Sequence, residues 1–434
     1  MMEKIASVRS LGARLYGSNL SSIFTALGIF TVSWEKFGNV GIAGYNLKLS
    51  VILFAFSLLF SWIDSWRRNI PLRPPFPIIF ALALVLLYAL IGLISTSQVA
   101  AQAQTVAVIT GALIPFLAVL INVKLYGNFS QLLNAFIYGA IFASIFGLYQ
   151  LAAFYSGLPQ IVSYRATDVN GYGRISSFSY ESGYFGYFLV LAMVAVLARS
   201  VLTKTPTNQW LLGLFALTLV LANSRAAFVT IPILLGIFIF FWPRRIPRPR
   251  FGWLATLGAI GLVVVIAMKP DVMQAVAVRF FSLFDPNEAS SNAPRLAVLN
   301  SSWQIFSDNP LWGIGPSSLR DFLYSYGFQV SPTASPNSVI ANNSFFQALL
   351  DGGVILFLAE LAFVITAIAF YMHRSHSVAW ILMSGWLTVL VVSGFVTSYF
   401  WDIKLWVFLA LAICAYAVQK SPISNKSRIS NSFG

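Results

Sequence analysis

The chain has 434 residues, 58% of them hydrophobic and 9% charged, with a mean hydropathy of +0.79. Soluble domains carry about 25% charged residues, so the composition excludes an ordinary soluble enzyme and indicates an all-α polytopic membrane protein. The formal net charge is +14, but no basic patch alternates with aromatics as a nucleic-acid surface needs, and the single Cys414 rules out an internal disulfide.

Apolar runs follow one another at 21–33, 47–63, 76–95, 106–123, 132–155, 184–198, 210–222, 226–242, 253–268, 354–372, 378–396 and 405–418. Read as helices they give about 12 spans, since about 20 apolar residues cross the hydrocarbon core. The expected order is a cytoplasmic N-terminus (1–18), spans one to nine (19–268), a large outer loop (269–343), spans ten to twelve (344–419) and a polar tail (420–434). With the N-terminus inside, 17 of the 27 basic residues fall in alternate segments on the cytoplasmic side, which supports both termini in the cytoplasm.

The other basic residues need another explanation. Arg225 lies in Asn223-Ser224-Arg225, between two runs that together span too few residues for two full crossings. That turn is expected below the outer interface, where an arginine costs about 2.5 to 3.5 kcal/mol and faces a polar cavity or a partner. Between spans five and six, Arg165, Asp168, Arg174 and Glu181 crowd together, Glu181 at the mouth of span six. A local ion-pair cluster and a substrate site remain equal alternatives there.

In the long outer loop, Leu296, Leu299, Trp303 and Phe306 recur at helical spacing behind Ala293-Pro294, an amphipathic helix with Arg295 in its first turn. A cation gains nothing from a helix N-terminus, so Arg295 points to an anionic partner. The helix ends at Asn309-Pro310, and Gly313 and Gly315 make a tight turn in which backbone can approach a ligand. Arg320 follows, and Asn342-Asn343-Ser344 opens the next apolar helix. The only histidines, His373 and His376, fall on the expected cytoplasmic side, and neither a metal motif nor a P-loop occurs, so neither metal nor cofactor is expected. An arginine-rich outer cavity suits phosphate oxygens, which guanidinium groups grip bidentately.

Three motifs in order carry a resemblance. Asn223-Ser224-Arg225-Ala226-Ala227, then Asn309-Pro310-Leu311-Trp312-Gly313-Ile314-Gly315-Pro316, then Asn342-Asn343-Ser344-Phe345-Phe346-Gln347 through Gly353 resemble elements of the O-antigen polymerase and ligase superfamily. Arg174 through Glu181 and Ser182 is similar to a stretch of polysaccharide polymerases. The resemblance implies a membrane-embedded, GT-C-like glycosyltransferase in the bacterial plasma membrane, metal-independent and inverting, with its site on the periplasmic face. Its implied donor is an undecaprenyl-diphosphate-linked glycan, its implied partners membrane lipid, a flippase and a chain-length regulator.

The same resemblance assigns Arg225 and Arg295 to the diphosphate, while Arg165, Arg174, Arg320, Gly313, Gly315 and Asn343 are read from the sequence as candidates for substrate binding. Ligases of the superfamily carry a histidine where this chain has Asn342, and asparagine cannot act as a base at neutral pH. Polymerisation is therefore favoured over ligation, with Glu181 the first candidate base, Asp168 and Asp321 weaker ones, and Asp351 facing either the cavity or a neighbouring helix. A glycan or anion transporter is the alternative from another class.

Overall fold

The computed structural model describes residues 20–42, 45–67, 69, 76–162, 173–242, 292–326, 340–372, 376–398 and 400–420. The expected ninth span and the expected tail from 421 lie outside the described residues. Helix α1 covers Leu20–Phe30. A short antiparallel hairpin of β1 (Val40–Ile42) and β2 (Tyr45–Leu47) follows, a departure from the all-helical expectation, with Val40 paired to Leu47. Then come α2 (Leu49–Arg67), α3 (Phe76–Ile91), α4 (Gln98–Val108) and α5 (Ile114–Tyr126). α6 is Phe129–Ser156, α7 Ser182–Thr203, α8 Gln209–Ala222 and α9 Arg225–Phe241. The last five are α10 (Asn292–Asp308), α11 (Leu319–Ser325), α12 (Ser344–Tyr371), α13 (Ser377–Gly394) and α14 (Ile403–Lys420).

Eleven expected spans fall on described residues, and each coincides with an apolar helix. Six of these are long and apolar enough to cross a membrane, counting α4 and α5 as one rod, and five are shorter. A π-turn at Ile109–Leu113 joins α4 to α5 without breaking the rod. The sequence run started only at 106 because Gln98, Gln102 and Gln104 mask the first three turns.

In lipid no hydrophobic force draws helices together, so close contact and polar links hold the bundle. α7 and α13 cross at Gly385, where a Cβ would lie 2.7 Å from a Val194 methyl carbon. α1, α2 and α5 are joined by buried hydroxyls and amides: Ser21 to Ser61 at 2.6 Å, Thr25 to Ser57 at 2.5 Å, and Asn122 donating to Ser21 at 2.9 Å. α7, α13 and α14 bury most of their length, while α3 turns Leu82, Leu86 and Leu90 outward, as a lipid-facing helix does.

One end of the bundle gathers the segments that carry the polar side chains. The Glu35 and Lys36 N–H groups donate to Phe178 O, Ser95 donates to Pro316 O, Ser344 donates to Thr397 O, and the Ile175 N–H reaches Leu221 O. These links bring the loops before β1, after α3, before α7, after α10 and before α14 to the same end.

Candidate active site

The centre of that end is a broken helix. Asn343 caps α12, its side-chain oxygen accepting the Phe346 N–H at 2.9 Å. The helix is then interrupted at Gly352 (φ −139°) and Gly353 (φ 63°, ψ −160°). An interruption inside a membrane must find partners for the freed peptide groups. The turn after α10 supplies them: Ile314 N–H donates to Leu350 O at 2.7 Å, Gly315 N–H to Asp351 O at 3.0 Å, and Pro310 O accepts Val354 N–H at 2.9 Å.

At Gly313 and Gly315 the glycines serve close packing. What approaches them is protein backbone: a Cβ would stand 2.3 Å from Leu350 O at Gly313 and 2.6 Å from Ser95 Cα at Gly315. Asn343 is likewise occupied as a helix cap. Asn342 adopts a left-handed backbone (φ 53°), and its amide reaches back to Ile340 O at 3.4 Å. Both asparagines serve the turn that starts α12.

Two adjoining cavities open beside the break. One, of about 120 Å³, is lined by Tyr88, Gln347, Asp351, Glu360 and Phe400 among others; the second, of about 320 Å³, by Glu35, Lys48, Tyr180, Tyr184 and Asp402 among others. Gln104, Ser398 and Trp401 line both. The π-turn brings Gly111 to the second cavity, where a Cβ would be 3.5 Å from Trp401 O. Asp351 satisfies both alternatives left open by the sequence. It lines the cavity and also bonds across helices, accepting from Gln347 at 2.7 Å and from the Tyr88 hydroxyl at 3.3 Å.

The second cavity rests on a buried ion cluster. Lys404, fully buried, contacts Glu35 at 2.6 Å and Asp402 at 3.2 Å, and Lys48 contacts Glu35 at 3.4 Å. Pairing of Asp402 with Lys404 was legible from their proximity in sequence; Glu35 was not, lying 369 residues from Lys404. Burial on its own raises the Glu35 carboxyl, but Lys404, Lys48 and the Tyr180 N–H outweigh it and hold it down at about 2. Burial also pushes Asp402 up, against the pull of Lys404 and with Glu35 adding to the rise.

The two acids carry opposite signs in pH dependence. Glu35, depressed from 4.5, stabilises the fold above pH 4.5, and that contribution is lost as pH falls towards 2. Asp402, raised from 3.8, favours the fold below 3.8 and loses that contribution as pH rises. Thermal melts of detergent-solubilised protein from pH 6 down to 2 should therefore show a steeper acid loss in wild type than in Glu35→Gln. Parallel acid limbs in the two proteins would contradict this assignment.

A second polar junction forms where α7 meets α9. Gly186 lets the helices touch, a Cβ there falling 2.8 Å from that of Ala227 and 3.1 Å from that of Ser224. Ser224 caps α9, accepting the Ala227 N–H, and Arg225 is the first helical residue, half-buried. Arg174 donates to Asn223 O at 3.1 Å, and exposed Glu181 stands at the start of α7. At 14 and 17 residues, α8 and α9 are about 21 and 25 Å long, shorter than the roughly 30 Å core. Within the fold, the turn carrying Arg225 is buried at Asn223 and Ser224.

The remaining expected residues scatter. Arg320 pairs with Asp321 at 2.9 Å, and Asp321 also accepts from Thr96 at 3.0 Å, which commits both to an ion pair on α11. The α10 helix exists, but its buried face runs through Ser302 and Ile305 while Trp303 is 56% exposed, about one position from the stripe read in the sequence. Arg295 lies in α10 with its side chain outside the described residues, and Arg165 and Asp168 lie outside them altogether. Among the described residues no three or more His, Cys, Asp or Glu side chains are gathered as a metal would need.

The family model described as Wzy_C, O-Antigen ligase, matches residues 210–359. Over this stretch, about a third of the chain, the sequence is similar to the O-antigen ligase family. The matched stretch starts in α8 and runs through Arg225, α10, the glycine turn and the break in α12. The similarity thus covers the glycine turn with the break in α12 and one side of the α7–α9 junction. No curated protein matches the chain.

Proposed function

We propose that the protein polymerises undecaprenyl-diphosphate-linked oligosaccharide repeat units into O-antigen or exopolysaccharide, on the outer face of the bacterial plasma membrane. The observation that carries this reading is the overlap of the O-antigen ligase match with the polar end of the bundle, where Arg225 and Arg174 sit recessed among apolar helices. The opposite end holds Arg67, Lys124, Arg199, Lys204 and Lys420, the bias expected of a cytoplasmic side. Both termini would then be cytoplasmic.

The chemistry follows from charge. When an acceptor hydroxyl attacks the anomeric carbon, the carbon–oxygen bond to the lipid diphosphate breaks and negative charge gathers on the departing phosphate. Fixed cations and helix N-terminal N–H groups lower that barrier. Arg225 opens α9, whose first-turn N–H groups face the same way, and Arg295 is its expected counterpart. A single displacement inverts the anomeric centre.

Ligation to a lipid or protein acceptor is the second reading, and the hydrogen bond that holds the Asn342 amide to Ile340 O weighs against a proton-transfer role at that position. The test is purified protein with a lipid-diphosphate-linked repeat unit and no added metal. Wild type should yield longer lipid-linked glycans, and Arg225→Ala should lower the rate at least about 100-fold, the scale of losing one electrostatic donor. Glycan delivered instead to lipid A core or a protein acceptor would establish ligation. Labelled substrate crossing proteoliposomes with neither product would establish transport and overturn the enzyme reading.

A further inference from the structure

We infer that Asp351, at the break in α12, is the base that takes the acceptor's proton, and that the acceptor sugar occupies the two adjoining cavities. The inference rests on the glycosyl-transfer reading above.

Apart from Glu360, which lines the same cavity further along α12, the other described carboxylates at this end are committed or open to solvent. Glu35 and Asp402 are held by lysines, Asp321 by Arg320, Asp308 bonds the Tyr326 hydroxyl, and Glu181 is exposed at the mouth of α7. Asp351, 6% exposed, receives only neutral donors, the Gln347 amide and the Tyr88 hydroxyl. Among the described residues no lysine, arginine or histidine lines its cavity. Its remaining lone pairs therefore face the cavity with no cation on them among the described residues.

Three further observations point to a ligand in that space. Glu360, 6% exposed, lines the same cavity and makes no hydrogen bond to the protein among the described residues. The Ser398 hydroxyl, on the shared wall, is buried without a partner. A buried hydroxyl left in this state costs about 1 to 3 kcal/mol, a cost that a sugar hydroxyl would remove. Trp401 and Phe400 add aromatic surface beside them, the mixture of a few polar groups on an apolar wall that small-ligand sites use.

The break explains how a carboxylate can be fixed here. Asp351 lies seven residues into α12, about 10 Å from its start, at the level of the glycine turn and Ser95. The turn holds the Asp351 carbonyl through Gly315, and Gln347 one turn earlier holds the side chain. In the step, the acceptor oxygen bonds to the donor's anomeric carbon, its proton passes to Asp351, and the electron pair of the broken bond leaves with the lipid diphosphate. Solvent in the cavities returns Asp351 to the carboxylate.

The test is the same elongation assay. Asp351→Asn should lower turnover at least about 100-fold, leave half-saturating donor within a few-fold of wild type, and abolish the fall in rate at acid pH that a required carboxylate imposes. Tyr88 and Glu360 are the titratable groups acting on Asp351 from α3 and from its own helix, so the pH profile is repeated in Tyr88→Phe and Glu360→Gln, both expected to keep the acid limb. Tyr88→Phe removes the interhelical bond and should cost under tenfold. Equal losses in Tyr88→Phe and Asp351→Asn, or wild-type turnover in Asp351→Asn, would overturn the assignment while polymerisation stands. Should Asp351→Asn prove unfolded by gel filtration, Asp351→Glu decides: partial turnover with the acid limb intact supports the base, and turnover without one overturns it. If wild type joins glycan to no acceptor, the glycosyl-transfer reading fails and the base assignment with it.

Discussion

Replacing Lys404 with methionine is expected to destabilise the protein by about 3 to 5 kcal/mol, the cost of removing one partner from a buried ion pair. Lys404 is the fully buried member, touching both Glu35 and Asp402. Without it Asp402 keeps no ion-pair partner in the cluster, and Glu35 keeps only the longer contact to Lys48, whose side chain is 20% exposed. The loss comes from charge left uncompensated, so removing the charge should restore much of it. Glu35→Gln/Asp402→Asn/Lys404→Met is therefore expected to melt well above Lys404→Met. The comparison is made by thermal unfolding in one detergent at pH 7. A Lys404→Met protein that melts with wild type would show that the cluster is not a stabilising keystone.

The cluster also marks the boundary of what the sequence could reveal. Apolar runs located the spans because lipid imposes one requirement on every residue of a helix surface. The shortness of α8 and α9 was legible for the same reason: two short runs back to back cannot both cross the core with water between them. Partnerships that depend on tertiary placement were not legible. Nothing near Glu35 in the chain announces Lys404, and nothing near Gly313 announces that its neighbour is the backbone of α12. Asn342 and Asn343 stand out because polar side chains at a membrane mouth suggest ligands, and a helix start also needs an acceptor for its free N–H groups. Asp351 was read as ambiguous because helix contact and cavity lining are indistinguishable without α3 beside it.

The second large effect is expected at Gly313, and it separates packing from backbone strain. Gly313 and Gly127 share nearly the same left-handed conformation, φ +65° and +66°. An alanine in that region costs about 1 to 2 kcal/mol from its Cβ alone. At Gly127 nothing lies within 4 Å of the added carbon, so Gly127→Ala should cost only that amount. At Gly313 the carbon meets Leu350 O at 2.3 Å, Gly353 N at 2.7 Å and Gly352 N at 2.9 Å, all backbone atoms that cannot rotate away. The turn must move, and with it go the donors on Leu350 O and Asp351 O and the acceptor for Val354 N–H. Each peptide group left unpaired at membrane depth costs several kcal/mol. Gly313→Ala should therefore give little monodisperse protein, while Gly127→Ala purifies normally with a slightly lower melting temperature. Similar yields and melting temperatures for the two variants would mean that the turn does not clamp the break, and Asp351 would then lose the support that fixes it beside the cavity.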